Sequence, residues 1–148
     1  MKAIETALSL TQAYKLGIER FEKMLGNEFA KAIECMNNSS THIIVCGMGK
    51  SGLVGRKISS TLASTGTPSI FLHPAEAIHG DLGKVKKKSV VLLISYSGET
   101  GEIIALIPAF KRLDVNIIAL TGVKNSTLAN ISDIVLDTSV DREACPLN

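Results

Sequence analysis

The fold is decided by the stretch His-Ile-Ile-Val-Cys-Gly-Met-Gly-Lys-Ser-Gly, residues 42–52. Its first half is a continuous apolar run, which predicts a short strand buried on both faces. Its second half is a glycine-rich turn that leads into a segment of helical period, residues 51–65. A buried strand, a tight turn and a helix in this order are typical of parallel α/β sheets.

Similar apolar runs recur four more times, separated by segments of helical period. We predict strands at residues 42–46, 69–72, 90–94, 116–120 and 134–136, and helices at residues 51–65, 98–113 and 126–131. Because the runs are continuously apolar, helices should cover both faces of the sheet. The predicted class is therefore α/β, with a doubly wound, five-stranded parallel sheet. Pro108 lies inside the third helical segment and predicts a kink or an early end there.

The first part of the chain has a different pattern. Residues 1–40 carry apolar side chains at helical spacing, which predicts one or two amphipathic helices with a break near Gly26 and Asn27. We treat residues 1–40 as N-terminal helices and residues 41–148 as the α/β domain, which together form one folding unit.

Composition excludes several classes of protein. The 148 residues are 45% apolar and 20% charged with a net charge of +2, which excludes a disordered chain and argues against nucleic acid as a partner. The longest apolar run, Ile103 to Phe110, is far shorter than the roughly 20 residues of a membrane span, so no membrane partner is expected. Neither a secretory signal nor a CxxC pair is present, and three isolated cysteines indicate a reducing cytoplasm. A small-molecule ligand fits this balance best.

Ligands of such sheets bind where strands end, so the glycine-rich turn after the first strand is a candidate site. A Walker A loop needs glycine where the chain has Ile44, and a dinucleotide site needs an acidic residue near Leu72, where there is none. Two interpretations remain open. The backbone around Gly49, with Lys50 and Ser51, can face an anion at a helix N-terminus, or the glycines only allow close helix packing.

Two further segments follow strands. Ser95, Ser97 and Thr100 place three hydroxyl groups where the next helix begins, which indicates a second anion cradle or an ordinary helix cap. His73 and His79 follow the second strand and are metal ligands, structural residues or substrate-facing residues, although their spacing matches no standard zinc site. Glu102 and Glu143 are candidates for proton transfer, or surface charges.

These motifs together resemble the sugar isomerase (SIS) domain, a family of phosphosugar-binding modules. Within it, six blocks are similar to the arabinose-5-phosphate isomerases: Gly-Met-Gly-Lys-Ser-Gly (47–52), Gly-Arg-Lys (55–57), Ala-Ser-Thr-Gly-Thr-Pro (63–68), His-Pro-Ala-Glu-Ala-Ile-His-Gly-Asp-Leu-Gly (73–83), Ala-Leu-Ile-Pro (105–108) and Glu-Ala-Cys-Pro-Leu (143–147).

The resemblance implies an aldose–ketose isomerase that interconverts D-ribulose 5-phosphate and D-arabinose 5-phosphate through an enediol, for lipopolysaccharide or capsule synthesis. A non-catalytic phosphosugar sensor is the alternative. The resemblance also implies no cofactor, a homodimer or homotetramer, and an inhibitory zinc that His73 can bind. It implies catalytic roles for Lys50, Glu102 and Glu143, and substrate contacts from Gly49, Ser51, Gly66, Thr67, His73, His79, Ser95, Ser97 and Thr100.

The resembling enzymes continue beyond the Cys-Pro-Leu block into a segment with a further catalytic histidine and usually two CBS domains. On this comparison, the last strand is expected to lack its covering helix and to expose apolar sheet surface.

Overall fold

The computed structural model describes residues 2–145 and consists of a five-stranded parallel sheet with helices on both faces. The strand order is β2-β1-β3-β4-β5, and every neighbouring pair is parallel. The last residues of the Glu-Ala-Cys-Pro-Leu block lie outside the described residues. The elements in chain order are α1 (Lys2–Met24), α2 (Asn27–Asn37), β1 (Ile43–Gly47), α3 (Gly49–Ser64), β2 (Ser69–Leu72), α4 (Pro74–Ile78), a 3-10 turn (Asp81–Lys84), β3 (Val90–Ile94), α5 (Gly101–Arg112), β4 (Asn116–Thr121), α6 (Thr127–Ile131) and β5 (Ile134–Asp137).

The core has two layers, one on each face of the sheet. On one face, Phe110 and Ile103 of α5 and Leu128 of α6 pack on alternate residues of the central strands. On the other face, Ala32 of α2 and Ile58 of α3 cover the remaining side chains. All residues of β1 and β3 are buried, which is why their sequences are continuously apolar. The predicted doubly wound architecture is confirmed.

Helix α3 packs against the sheet through glycines that leave no room for a side chain. A Cβ atom at Gly52 would lie 2.6 Å from the carbonyl oxygen of Gly47, and one at Gly55 would lie 3.1 Å from the Phe71 ring. These two glycines therefore serve packing. Gly49 is different, since nothing lies within 4 Å of its Cβ position and its φ is +56°.

The N-terminal segment forms two helices that break between Met24 and Asn27, as predicted. Helix α1 has 23 residues and buries none of them. Side chains of Ile18 and Phe21 on α1 and of Ile33 on α2 stay exposed. Arg20 connects α1 to the segment after β5 through an ion pair with Asp141. Among residues 2–145, no helix combines the length and apolarity of a membrane span.

Two expectations need correction. Of the two alternatives at Pro108, an early end is wrong: helix α5 continues to Arg112, because Ala109 and Phe110 beyond the proline are buried in the core. Strand β5, expected to lack its covering helix, is covered on one face, since α2 packs Ala32 against the layer that contains Ile134, and its four residues are half-buried.

Candidate active site

The sheet has one topological switch point, between β1 and β3. From β1 the chain passes through α3 to β2 on one side, and from β3 it passes through α5 to β4 on the other. The final residues of the two strands, Gly47 and Ile94, are paired neighbours. Ligands of open α/β sheets bind in the crevice that such a divergence creates. The segments after Gly47 and after Ile94 border this crevice.

The first segment leaves the N-terminus of α3 open. Met48, the N-cap residue, makes no side-chain hydrogen bond to the helix, and the first turn contains no acidic side chain. The first N–H groups of a helix lack intrahelical acceptors and attract anions. Lys50 is exposed and Ser51 is half-buried beside these groups. This end of α3 therefore has the donors and the positive charge that a phosphate needs.

The second segment, Ser95 to Thr100, is hereafter the serine loop. Ser95 is buried, and its Oγ accepts a hydrogen bond from Gly98 N at 3.1 Å and lies 2.7 Å from Thr100 Oγ1. Ser97 is exposed, and its Oγ accepts from Glu99 N at 3.2 Å, which leaves its proton available to donate. Ser95 thus shapes the loop, and Ser97 has an exposed hydroxyl group that can donate a hydrogen bond.

The structure brings Lys50 and Glu102 to matching positions. Each is the second residue of the helix that follows one of the two diverging strands, α3 for Lys50 and α5 for Glu102. Glu102 is half-buried in the first turn of α5, next to the serine loop. Glu143 is exposed after β5 and lines a cavity of about 390 Å³ with Tyr14 and Ile18 of α1. Val140, three residues earlier, donates its N–H to Tyr96 Oη of the serine loop at 3.5 Å, so this segment contacts the serine loop.

The remaining predicted residues are divided between the two edges of the sheet. His73 and His79 flank α4, after β2, on the same edge as the serine loop. His73 is half-buried, its ring contacts Phe71 edge-on, and its Nδ1 is buried without a hydrogen-bond partner among the described residues. Gly66 and Thr67 lie just before β2. The next residue, Pro68, accepts a hydrogen bond through its carbonyl oxygen from the N–H of Ile43, the first residue of β1. They are therefore at the opposite, amino edge.

Among residues 2–145, no group of three or more His, Cys, Asp or Glu side chains is arranged to hold a metal ion. The three cysteines are free thiols. Burial raises the pKa of the Cys46 thiol to about 12.

Sequence reasoning missed how the serine loop is held. Gly98 has a φ of +67°, and its carbonyl oxygen accepts from Leu128 N at 3.1 Å. The Glu99 carboxylate accepts from Thr127 N at 2.6 Å, and this hydrogen bond lowers the pKa of Glu99. The sequence does indicate a helix start after β4, because Ser126 is a good N-cap residue. It does not indicate that this helix start bonds to the serine loop, because that contact is long-range.

Comparison with known proteins identifies relatives of this arrangement. The family model of the SIS domain matches residues 36–148. Arabinose 5-phosphate isomerase KdsD of Pseudomonas aeruginosa is 53% identical over 84% of this chain and 38% of its own length. The chain thus spans about two fifths of the length of the curated relatives it matches.

Solved structures have the same fold. A Listeria monocytogenes protein superimposes with a TM-score of 0.93 at 30% identity, over 98% of this chain and 76% of that one. An Escherichia coli CFT073 protein in complex with arabinose 5-phosphate has a TM-score of 0.85 at 37% identity, over 99% and 80%. The sugar isomerase domain of the RpiR transcription factor from Sphaerobacter thermophilus shares the fold alone, with a TM-score of 0.70 at 22% identity, over 87% of this chain and 74% of that one. With the family model covering more than half of its residues, this chain belongs to the SIS domain family.

Proposed function

We propose that this chain is the catalytic SIS domain of an aldose–ketose isomerase that interconverts D-ribulose 5-phosphate and D-arabinose 5-phosphate. The observation that carries this proposal is the placement of Lys50 and Glu102 in the first turns of α3 and α5, beside the serine loop at the switch point. Its support from comparison is the set of relatives about 50% identical that are named arabinose 5-phosphate isomerases, and a structural neighbour solved with arabinose 5-phosphate.

The reaction needs three things that these residues can supply. A proton must move between C1 and C2 through an enediol, so a base has to reach both carbons. A positive group must stabilise the oxyanion that develops, and the phosphate must be fixed to orient the sugar. In this proposal Ser97, Ser51 and the open end of α3 bind the phosphate. Lys50 neutralises the developing charge.

Two glutamates are candidates for the proton transfer. Glu102 is next to the serine loop, whereas Glu143 lies beside α1. We propose catalytic roles for both, and the assignment of the base stays open between them. Gly49, Ser95, Thr100, His73 and His79 are proposed substrate-site residues on the same edge of the sheet. The described residues place no cluster of three metal ligands around His73, so they do not fit an inhibitory zinc held by this chain alone.

We also propose that the chain acts as a homodimer or homotetramer. Gly66 and Thr67 lie at the amino edge of the sheet, so within one chain they are separated from the serine loop. A second copy can bring them to a shared site. The apolar side chains exposed along α1 supply a surface for this association, since a monomer seldom leaves such a stripe in water.

The proposed setting is the cytoplasm, in the synthesis of lipopolysaccharide or capsule. Free thiols and a phosphorylated substrate fit a reducing compartment. The names of the KdsD and KpsF relatives agree with this role.

The experiment is a proton NMR assay of the polypeptide of residues 1–148 with D-ribulose 5-phosphate, with the Pseudomonas relative as the positive control. Formation of D-arabinose 5-phosphate supports the isomerase. Lys50→Met should abolish turnover, whereas Lys57→Met, a change of an exposed lysine further along α3, should not.

A phosphosugar sensor is the second candidate function. The observation that favours it is that the serine loop and the open end of α3 border one crevice at the switch point, whereas Glu143 is exposed and lines a cavity beside α1. Tight binding of D-arabinose 5-phosphate without turnover would support the sensor.

A further inference from the structure

The serine loop is fastened to a neighbouring element at two points. The Gly98 carbonyl oxygen accepts a hydrogen bond from Leu128 N at 3.1 Å, and the Glu99 carboxylate accepts from Thr127 N at 2.6 Å. Both donors belong to the first turn of α6, which follows β4. The loop after β3 and the helix after β4 are therefore joined by consecutive residues on each side.

The Glu99 side chain belongs to the serine loop but bonds to α6. Its backbone N–H bonds to Ser97 Oγ, so Glu99 belongs to the turn that presents the Ser97 hydroxyl. A carboxylate beside an anion cradle would repel a phosphate if it faced the ligand. Here it bonds instead to a helix N–H, whose partial positive charge offsets it. This hydrogen bond also lowers the pKa of Glu99, so the carboxylate is charged at neutral pH.

We propose that Glu99 is a positioning residue for anion binding: its hydrogen bond to Thr127 N holds Ser97 and the serine loop in the conformation that receives a phosphate. The inference rests on the proposed function only in taking the serine loop as the phosphate site. Glu99 makes no contact with the ligand in this scheme. Its role requires an acceptor oxygen at the end of the side chain, whether or not that oxygen is charged.

Thr127 gives a way to remove the hydrogen bond without altering the serine loop. It is the first residue of α6, where proline is well tolerated, and Ser126 before it has an extended backbone with φ −74° and ψ 161°. Thr127→Pro deletes the donor N–H and keeps the helix start. Thr127→Ala keeps the N–H and is the matched control.

The test measures the affinity for inorganic phosphate by isothermal titration calorimetry. The proteins compared are the wild type, Glu99→Ala, Glu99→Gln, Thr127→Pro and Thr127→Ala. We expect Glu99→Ala and Thr127→Pro each to weaken binding about fivefold or more, a usual coupling between positions in one network. Glu99→Gln, which keeps an acceptor oxygen, and Thr127→Ala should bind within about threefold of the wild type. The double variant Glu99→Ala/Thr127→Pro should bind no more weakly than either single variant.

Several outcomes would overturn the proposal. Tighter binding by Glu99→Ala would show that the carboxylate only repels the anion. Binding by Glu99→Gln as weak as that of Glu99→Ala would show that charge and not the acceptor matters. If the thermal midpoint of Glu99→Ala falls sharply, the comparison of Thr127→Pro with Thr127→Ala decides. Wild type that does not bind phosphate would overturn the proposed function and this inference, whereas equal binding by all variants would overturn the inference alone.

Discussion

Substitution of Gly98 by alanine should damage the serine loop more than any other single methyl group added to it. The backbone of Gly98 is left-handed, with φ +67°, and this conformation costs a non-glycine residue about 1–2 kcal/mol. An added Cβ would also lie 2.0 Å from Ser126 Oγ and 2.4 Å from its Cβ, so one of the two loops must shift. Such overpacking typically costs about 1–3 kcal/mol. We expect Gly98→Ala to lower the free energy of unfolding by about 2–5 kcal/mol.

Gly101 provides the matched control, three residues away at the first position of α5. Nothing lies within 4 Å of its Cβ position, and its φ is not in the positive range. Alanine is a better helix former than glycine, so Gly101→Ala should be neutral or stabilise by up to about 1 kcal/mol. Urea denaturation followed by circular dichroism measures both variants. Equal stability of Gly98→Ala and wild type, or equal losses in the two variants, would refute the argument from backbone conformation and contact.

Three other predictions concern single side chains. Ser97→Ala should weaken phosphate binding by about 1.5–3 kcal/mol, measured by calorimetry. It should lower the free energy of unfolding by no more than about 1.5 kcal/mol in urea denaturation, because only the hydrogen bond from Glu99 N is lost. An unchanged affinity would remove Ser97 from the site. Burial raises the pKa of Cys46 to about 12, so this thiol should resist iodoacetamide at pH 8 in the native protein, while the exposed Cys145 is alkylated. Mass spectrometry that finds Cys46 modified without denaturant would contradict its burial. Ile18→Glu should reduce the mass measured by light scattering toward about 16 kDa, whereas Lys15→Glu on the same helix should not; a wild type that is already monomeric would contradict the proposed association.

The strands could be read from the sequence because the central ones are buried on both faces. The predicted limits of β2 and β3 agree with the structure, those of β1 are shifted by one residue at both ends, and β4 and β5 each extend one residue further than predicted. Short apolar runs bounded by glycine and polar residues predict such strands from neighbouring residues alone. The topology then placed the serine loop and the glycine-rich turn on the same edge without knowledge of any contact.

Long-range packing explains what sequence reasoning missed. The α5 helix continues past Pro108 because the buried side chain of Phe110 contributes more than the one hydrogen bond that proline removes. The periodicity of α2 indicates an apolar face but not that this face covers β5. Likewise, Glu99 is an ordinary charged residue in the sequence, and only the fold places it beside Thr127.

Solvent exchange in D₂O tests most directly whether this domain catalyses the proposed isomerisation. We would incubate the polypeptide of residues 1–148 with D-arabinose 5-phosphate and follow the C2 proton by NMR. Proton transfer through an enediol predicts that ribulose 5-phosphate appears or that deuterium replaces the C2 proton. Glu102→Gln should slow this at least about a hundredfold while phosphate binding stays within a few fold, and Glu76→Gln on α4 should not. If the wild type binds the sugar phosphate yet yields neither product nor exchange, the claim of isomerase chemistry in this domain is contradicted.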